Sequence, residues 1–289
     1  MCIRDRYRKG LEAVTRADVL RVAKERLKPE AFATVVVGDP GDFIPPLESL
    51  NQTVHKIDLS IPEPKLTVAK SDPGSIERGK AILARLQQAV GGLEKLEAVK
   101  DSTLVADYVV EAGGKVTPVR HTERWIAPMH YREDNELGGG TISSYVDGQF
   151  GWITVPGGSI PLAGPTLKQV QGNAFRQYQL LLQGDNLPET AVNAVDDQTI
   201  EIVSDWGQSA RVAVDPATGL PLKIRYEGPV RSGPPPVTEE IWSDFREVAG
   251  MKVPFKITIT EGGRKYADVT ITGFRVNSGL KLSDLDKRP

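Results

Sequence analysis

The feature that most constrains the fold is a two-residue alternation of apolar and polar side chains that recurs between residues 200 and 276. Between residues 220 and 227, every second side chain is apolar: Leu220, Leu222, Ile224 and Tyr226. Such alternation predicts a strand with one buried and one solvated face. Asp215-Pro-Ala-Thr-Gly219 predicts a turn before it, and Glu261-Gly-Gly-Arg264 predicts a two-residue hairpin further on. We therefore expect neighbouring antiparallel strands of one curved sheet.

Similar patterns extend this sheet toward the N-terminus. Strands are predicted at 103–111, 116–126, 131–135, 141–146 and 149–155, with glycine-rich turns between them. Residues 167–183 predict a helix, and strands resume near Thr190. Asp72-Pro73 predicts the start of a helix that ends at Gly91-Gly92, followed by a short helix at 93–99. Residues 72–289 are therefore interpreted as one α+β domain.

The preceding segments are different in kind. Residues 7–27 predict a helix, in which Thr15 caps the N-terminus with Asp18 three residues later. Residues 32–37 predict a short strand that ends at Gly38-Asp-Pro40. One helix and one strand cannot bury a core alone, so residues 7–40 are interpreted as the end of a larger domain. The proline-containing residues 41–71 are interpreted as an extended linker.

The first six residues, Met-Cys-Ile-Arg-Asp-Arg, resemble the translated end of a common transposase-based sequencing adapter. We expect residues 1–6 to be an adapter scar and exclude them from reasoning about the fold. The alternative is a genuine basic N-terminus. If they are a scar, the natural protein contains no cysteine in this region, since Cys2 is the single cysteine of the chain, and it continues upstream.

The net charge and the hydropathy of the sequence argue against a nucleic-acid partner and against a membrane-spanning helix. The formal net charge of −2 gives no electrostatic footprint for nucleic acid. No apolar run reaches the roughly 18 residues that a membrane-spanning helix requires. We therefore expect neither a nucleic-acid partner nor a transmembrane segment.

Two segments near the N-terminus have a recognisable pattern: residues 14–29, which begin Val-Thr-Arg-Ala-Asp-Val, and Ala33-Thr-Val-Val-Val-Gly-Asp-Pro40. Together they resemble the last helix and strand of an insulinase-type (pitrilysin, processing-peptidase) domain. The resemblance covers residues 7–40 and implies a parent zinc endopeptidase with an inverted His-x-x-Glu-His motif. The three histidines, His55, His121 and His130, do not form that motif. We therefore assign no catalytic residue, metal ligand or cofactor to this chain; zinc is implied only for the parent, whose upstream peptidase domains would be partners.

Residues 72–289 carry a second resemblance. It rests on the run that starts at Gly79, on Tyr145-Val-Asp-Gly-Gln-Phe-Gly-Trp152, on Val214-Asp-Pro-Ala-Thr-Gly-Leu-Pro221 and on residues 245–255. These segments resemble the domain appended to exported insulinase-type proteins, which is similar to the outer-membrane lipoprotein-carrier fold. The resemblance implies a curved antiparallel half-barrel with plug helices, a lipid or lipoprotein partner, and a periplasmic or outer-membrane location.

Three polar patterns have simple structural explanations. His121 and His130 could contribute to a zinc site, but nothing among the remaining residues completes it, so satisfied or exposed strand histidines are the better interpretation. Asp196-Asp197 is interpreted as a turn, because adjacent strand residues point to opposite faces. Gly138-Gly-Gly140 lacks the Lys-Ser/Thr of a phosphate-binding loop and is interpreted as a hairpin turn.

Aromatic residues on predicted strands are the candidate ligand-lining set: Tyr108, Trp125, Tyr145, Trp152, Trp206, Tyr226, Trp242 and Phe255. In a half-open barrel some would line the concave side and hold an acyl chain, or plug helices would cover them as ordinary core. Three functions remain open. They are a non-catalytic C-terminal part of an envelope peptidase homologue, a lipid- or lipoprotein-binding module, and a structural scaffold. A continuous apolar cavity would favour binding, and a filled concave face would favour a scaffold.

Overall fold

The computed structural model describes residues 3–28, 32, 35–36, 47–50, 53–55, 72–229 and 235–288. Contacts divide the chain into two units, Met1–Pro64 and Lys65–Pro289, and each is treated separately below. Within the described residues, no helix is long and apolar enough to cross a membrane.

The described part of the first unit contains the α-helices α1 (Ile3–Glu12) and α2 (Arg16–Arg26), where the sequence predicted one helix over residues 7–27. The break falls at Thr15, whose φ of −92° and ψ of 162° are extended and cannot continue a helix. The predicted cap is confirmed: the Thr15 hydroxyl accepts a hydrogen bond from the Asp18 N–H, and the Thr15 N–H donates to the Asp18 carboxylate. A strong N-cap therefore ends one helix and starts another.

The strand predicted at 32–37 is not observed where it is described. Phe32, Val35 and Val36 lie outside any strand, and Val35 is 80% exposed. A lone strand has no ladder of hydrogen bonds to stabilise it, which explains the discrepancy at these positions. The rest of that strand and most of the predicted linker lie outside the described residues, although Leu47–Leu50 forms a 3-10 turn.

The described part of the second unit contains a single antiparallel sheet of thirteen strands. Their bounds are β1 (Asp101–Ala112), β2 (Lys115–Ile126), β3 (His130–Leu137), β4 (Gly140–Val146), β5 (Gly151–Val155), β6 (Gly158–Pro161), β7 (Thr190–Ala194), β8 (Thr199–Ser204), β9 (Ser209–Val214), β10 (Pro221–Glu227), β11 (Val237–Val248), β12 (Met251–Glu261) and β13 (Arg264–Val276). The strands predicted within residues 72–289 are present. The sequence missed β6 and began β5 two residues early, at Gln149, which lies in the turn.

Two meanders make up this sheet. Strands β6 to β1 and β13 to β7 each follow one another in order, and the β1–β13 pair joins the two series. The first and last strands of the domain are thus hydrogen-bonded, while β6 and β7 form the two open edges. Residues 162–189, here called the covering segment, connect these edges. The predicted curved, antiparallel and incompletely closed sheet is confirmed.

Four α-helices accompany this sheet within the described residues: α3 (Pro73–Val90), α4 (Leu93–Glu97), α5 (Gly164–Phe175) and α6 (Tyr178–Leu181). Asp72 caps α3 through the Ser75 N–H, with Pro73 at the first helical position, as predicted. The helix predicted at 93–99 ends at Glu97, and the helix predicted at 167–183 is two helices. The second break occurs at Gln177, whose ψ of 127° is not helical.

A bulge corrects the predicted alternation in β10. Pro221 pairs with Val214 and Lys223 pairs with Ala213, so Leu222 is an extra residue between consecutive pairs. As a result Leu222 is 43% exposed, while Ile224 is buried as expected. An inserted residue shifts the inside–outside phase of a strand, which a two-residue period in the sequence does not reveal.

One hydrophobic core lies between the sheet and the helices. It combines Leu83 and Leu86 of α3 and Phe175 of α5 with strand residues such as Trp125 and Ile200. The sheet face that contributes to this core is called the inner face below. The opposite side is called the outer face.

Candidate functional site

Pairing across the strands decides which predicted aromatic residues share a face. Tyr108 of β1 pairs with Val269, Val269 pairs with Ile257, and Ile257 pairs with Trp242 of β11. Directly paired residues point to the same side of a sheet. Tyr108 and Trp242 therefore both lie on the inner face. By the same reasoning Trp125, Tyr226 and Phe255 belong to that face, and all five pack in or against the core.

The other three candidates are elsewhere. Tyr145 and Trp152 pair with each other on the outer face, where they form a small separate cluster with Leu285. Trp206 lies in the turn between β8 and β9, not on a strand, and is 40% exposed. The eight aromatic residues thus do not line one surface. For the five on the inner face, a role in holding a ligand stays a prediction.

Polar side chains, not aromatic ones, give the inner face its most unusual feature. The His121 ring lies 2.7 Å from Asn135 Oδ1 through Nδ1 and 2.9 Å from Glu123 Oε1 through Nε2. The Tyr131 hydroxyl lies 3.0 Å from Glu123 and 3.1 Å from Glu133. These residues of β2 and β3 form a continuous hydrogen-bonded chain at positions where a sheet core is ordinarily apolar. We call it the interior polar cluster.

The covering segment completes this cluster. Asn173 of α5 donates a hydrogen bond of 3.1 Å to Glu133, and Gln177, at the break between α5 and α6, donates one of 2.9 Å to Glu123. The break in the predicted helix places Gln177 where it can reach the sheet. Each carboxylate is therefore satisfied by donors from both the sheet and the covering segment.

Electrostatics fix the charge states. Burial by itself lowers the pKa of His121, but the hydrogen bond and charge of Glu123, with the charge of Glu133, raise the pKa to about 9. Burial likewise raises the pKa of Glu123, but the hydrogen bond and charge of His121 outweigh it and lower the pKa below its usual value. Both ring nitrogens of His121 face acceptor oxygens, which a doubly protonated imidazole requires. His121 and Glu123 thus form a buried ion pair.

A second carboxylate group lies across the interior. Glu240 of β11 accepts a hydrogen bond of 2.7 Å from the Tyr226 hydroxyl and one of 3.1 Å from Trp242 Nε1. The guanidinium of Arg176, at the end of α5, is centred 3.7 Å from the middle of the Tyr226 ring. This places a cation of the covering segment on the aromatic wall beside Glu240.

Three buried polar atoms on this side have no hydrogen-bond partner among the described residues: Trp125 Nε1, Gln179 Oε1 and Thr238 Oγ1. Thr238 pairs with Tyr226 across β10 and β11, so it shares the inner face. Unsatisfied buried polar atoms are costly, and they mark places where water or a ligand can bind.

The alternative of a zinc site joining His121 and His130 is excluded by geometry. His121 lies on the inner face, whereas His130 contacts the Tyr145 hydroxyl at 3.1 Å on the outer face. The described residues contain no grouping of His, Cys, Asp and Glu side chains suited to a metal ion. The Asp196-Asp197 turn is confirmed between β7 and β8.

On the outer face, the C-terminal residues cover the aromatic pair of β4 and β5. Arg132 donates hydrogen bonds to the carbonyls of Leu285 and Lys287, and Trp152 Nε1 donates to the carbonyl of Asp286. Leu285 is fully buried against Tyr145 and Trp152. This contact explains why two large aromatic residues on the outer face are buried.

Comparison with known proteins gives a structural likeness only. No protein-family model matches the sequence, and no curated protein is significantly similar to it. Among solved structures, the chain is similar to one described as a putative outer membrane lipoprotein-sorting protein domain from Vibrio parahaemolyticus. The two sequences are 12% identical and the TM-score is 0.46. The match covers 73% of this chain and 97% of that chain. A DUF1329 family protein from Desulfovibrio piger shows 13% identity and a TM-score of 0.47, covering 73% of this chain and 97% of that one. A LolA superfamily protein from Nitrosomonas europaea shows 12% identity and a TM-score of 0.47, covering 72% and 97%. At these values the likeness carries no argument about function, which is argued below from this chain's own residues.

The interior polar cluster was not predicted from the sequence. Its signal is His121-x-Glu123 on one strand and Tyr131-x-Glu133-x-Asn135 on the next, each with a two-residue period. Intervening residues such as Thr122, Arg132 and Asp134 are also polar. The pattern therefore does not reveal which of the two faces is buried.

Proposed function

We propose that residues 72–289 bind an acyl chain, either of a free lipid or of a lipid-anchored protein, between the inner face and the covering segment. The observation that supports this most directly is the way the covering segment contacts the sheet. It contributes apolar residues to the core, and among its polar contacts are hydrogen bonds to the buried carboxylates of Glu123 and Glu133.

A helix that serves only as core needs no hydrogen bonds to buried carboxylates, because apolar contacts suffice. Hydrogen bonds of this kind fix one position of the segment, and their acceptors can accept from water or a ligand when the segment moves. Glycines with positive φ occur near both ends of the segment, at Gly164 (53°) and Gly184 (58°). The inner face would then expose core residues such as Val269 and Ile271 to an acyl chain.

The test is binding of the neutral apolar probe N-phenyl-1-naphthylamine, followed by fluorescence, with the neutral 1-hexadecanol as competitor. Ala106 of β1 is fully buried on the inner face, so Ala106→Phe fills the space that a chain would occupy. Val109 of the same strand is 42% exposed on the outer face, which makes Val109→Phe the matched control.

We expect saturable probe binding that Ala106→Phe weakens about tenfold or more and that Val109→Phe leaves unchanged, as expected for loss of most of an apolar binding surface. Thermal unfolding of both variants shows whether each is folded, because overpacking costs about 1–3 kcal/mol. Absence of saturable binding by the native domain would contradict the proposal.

A structural scaffold is the second candidate, and one observation favours it. Helices α3 to α6 all contribute residues to the core on the inner face, and a small depression lined by Arg211, Lys223 and Arg225 lies on the outer face. A concave face that is filled by the protein's own helices favours a scaffold, whereas a continuous apolar cavity would favour binding. The same probe experiment separates the two candidates, since a scaffold gives no saturable binding.

Descent from an insulinase-type peptidase stays a prediction that rests on the resemblance of residues 7–40. A periplasmic or outer-membrane location stays a prediction that rests on the resemblance of residues 72–289. Under this proposal the chain would be the non-catalytic C-terminal part of an envelope protein whose peptidase domains lie upstream. Reading the genomic sequence upstream of residue 7 tests it. An open reading frame without any insulinase-type domain, with or without its zinc motif, would contradict it.

A further inference from the structure

The carboxylates of the inner face converge on one space. Strands β1 and β11 are three strand spacings apart, about 14 Å in a flat sheet. Burial raises the pKa of Tyr108 on β1 well above its ordinary value, and the charges of Glu123, Glu240 and Glu133 raise it further. Contacts of the covering segment join the two sides: Asn173 donates to Glu133 and accepts a hydrogen bond from Arg176, whose guanidinium lies over the ring of Tyr226. Since the Tyr226 hydroxyl donates to Glu240, the carboxylates of β2, β3 and β11 lie around one space beside the end of α5.

Acidic side chains outnumber basic ones among the described residues of this space. Glu123, Glu133 and Glu240 lie there with two cationic groups, His121 and Arg176, and the charge of Glu261 on β12 also acts on Tyr226. His121 belongs to the sheet and is already paired with Glu123. Arg176 belongs to the covering segment. When that segment moves away, as the proposed function requires, the space loses one cation and keeps all three carboxylates.

Arg176 shows how a cation fits there. Its guanidinium lies over the Tyr226 ring and is held from its own helix by a hydrogen bond of 2.8 Å to Asn173. The Glu240 carboxylate lies beside that ring. Among the described residues, it accepts hydrogen bonds from two neutral donors, the Tyr226 hydroxyl and the Trp242 indole N–H. An aromatic face next to a carboxylate is a favourable environment for a cation that is shielded from water.

A separate observation indicates an unfilled acceptor position. Thr238 is 2% exposed, lies opposite Tyr226 on the inner face and is two residues from Glu240, yet its hydroxyl oxygen has no partner among the described residues. A primary ammonium carries three N–H donors, enough for Glu240, Thr238 and a further acceptor.

We infer that the interior site takes the positively charged head of an amphiphile, a primary ammonium or a guanidinium, and that Arg176 is the internal group it displaces. This inference rests on the proposed function, because the acyl chain of the same ligand would occupy the inner face. Anionic heads are disfavoured, since like charges facing buried carboxylates are destabilising.

The experiment compares three ligands with one chain length and different heads: dodecylamine, dodecanol and dodecanoate. Each is titrated below its micelle concentration against N-phenyl-1-naphthylamine bound to the native domain at neutral pH. We expect dodecylamine to bind about tenfold or more tightly than dodecanol, and dodecanoate to bind most weakly, because a hydrogen bond to a charged group is stronger than one to a neutral group.

Variants locate the effect. Glu240→Gln and Glu133→Gln each remove one interior carboxylate and should reduce the preference for dodecylamine about tenfold while leaving dodecanol binding unchanged. Glu201 lies on the outer face paired with Arg211, so Glu201→Gln is the matched control with the same loss of charge. Arg176→Met removes the internal cation and should strengthen dodecylamine binding. Thermal unfolding identifies any variant that does not fold. If one of the two variants Glu240→Gln and Glu133→Gln does not fold, the other still tests the prediction.

The outcomes are distinguishable. Equal binding of all three ligands would overturn the cationic head and leave acyl-chain binding intact. Binding of none would overturn the proposed function and this inference together. A preference for dodecylamine that survives both interior substitutions would place the cation elsewhere and overturn the assignment to this site.

Discussion

His121 shows how one residue depends on its surroundings. It is 5% exposed, and its two ring nitrogens contact Glu123 and Asn135. Burial of a lone imidazolium would be unfavourable, so the charged ring persists because the Glu123 carboxylate lies beside it. The groups that face this pair from neighbouring elements are Glu133 and Tyr131 of β3 and Tyr108 of β1.

A pH dependence of stability follows from this pair. The pKa of His121 is about 9 in the folded protein, against an ordinary value of 6.5. A pKa raised by folding gives a contribution that is complete below pH 6.5 and is lost as the pH rises through about 9. We expect the free energy of unfolding to fall between about pH 6.5 and 9.5, by an amount on the order of 2–3 kcal/mol.

Urea denaturation over that pH range measures the effect. His121→Gln should remove most of the pH dependence, whereas His130→Gln, which changes a histidine on the outer face, should retain it. A native protein whose stability is constant from pH 6.5 to 9.5 would show that the His121–Glu123 pair is not charged in the folded state.

At the scale of elements, α3 and β7 approach each other unusually closely. Gly79 of α3 faces the backbone of β7, and a Cβ atom at this position would lie 2.8 Å from both the Ala194 nitrogen and the Asn193 carbonyl carbon. Real Cβ contacts are longer than this, so the two elements pack at a distance that only glycine permits. Strand β7 is one edge of the sheet, so this contact joins α3 to an edge strand.

Gly79→Ala should therefore destabilise the domain by about 1–3 kcal/mol, as overpacking generally does. On helix propensity alone the same substitution would stabilise by about 0.5–1 kcal/mol, so the sign distinguishes the two effects. Glu77→Ala, at an exposed position of the same helix, serves as the control. Thermal unfolding measures both, and a Gly79→Ala variant more stable than the native protein would show that α3 can move away from β7.

At the scale of the whole molecule, the two units differ in how much they bury. Helix α2 buries none of its residues, and Val19, Leu20 and Val22 are each more than two-fifths exposed. The second unit has a continuous core formed by its own sheet and helices. A unit with its own core is expected to fold alone.

Deletion of residues 1–71 should leave the thermal transition of the second unit nearly unchanged and should improve solubility, because exposed apolar side chains are removed. Differential scanning calorimetry of the full chain and the deletion variant measures the midpoint. A decrease of more than about 5 °C, or roughly 1–2 kcal/mol for a domain of this size, would show that the N-terminal residues stabilise it.

The sequence alone determined the elements whose signal is local. Turn residues and alternating side chains located β1 to β5, β7, β10, β12 and β13, and capping residues located Thr15 and Asp72 as helix starts. These features arise from interactions among residues close in the chain, and a pattern of neighbours records them. The N-terminal part of the chain, by contrast, offered a strand signal at residues 32–37 that the described residues do not bear out, because a strand needs a partner.

Only the tertiary structure decided which side of each strand is buried where both sides are polar. Glu123 and Glu133 lie on the inner face and Tyr145 and Trp152 on the outer face because of pairing across strands and coverage by residues far away in the chain. The Leu222 bulge and the break at Gln177 have the same origin. Local sequence does not record which distant segment covers a strand, so neither the interior polar cluster nor its charge was predictable before the chain was folded.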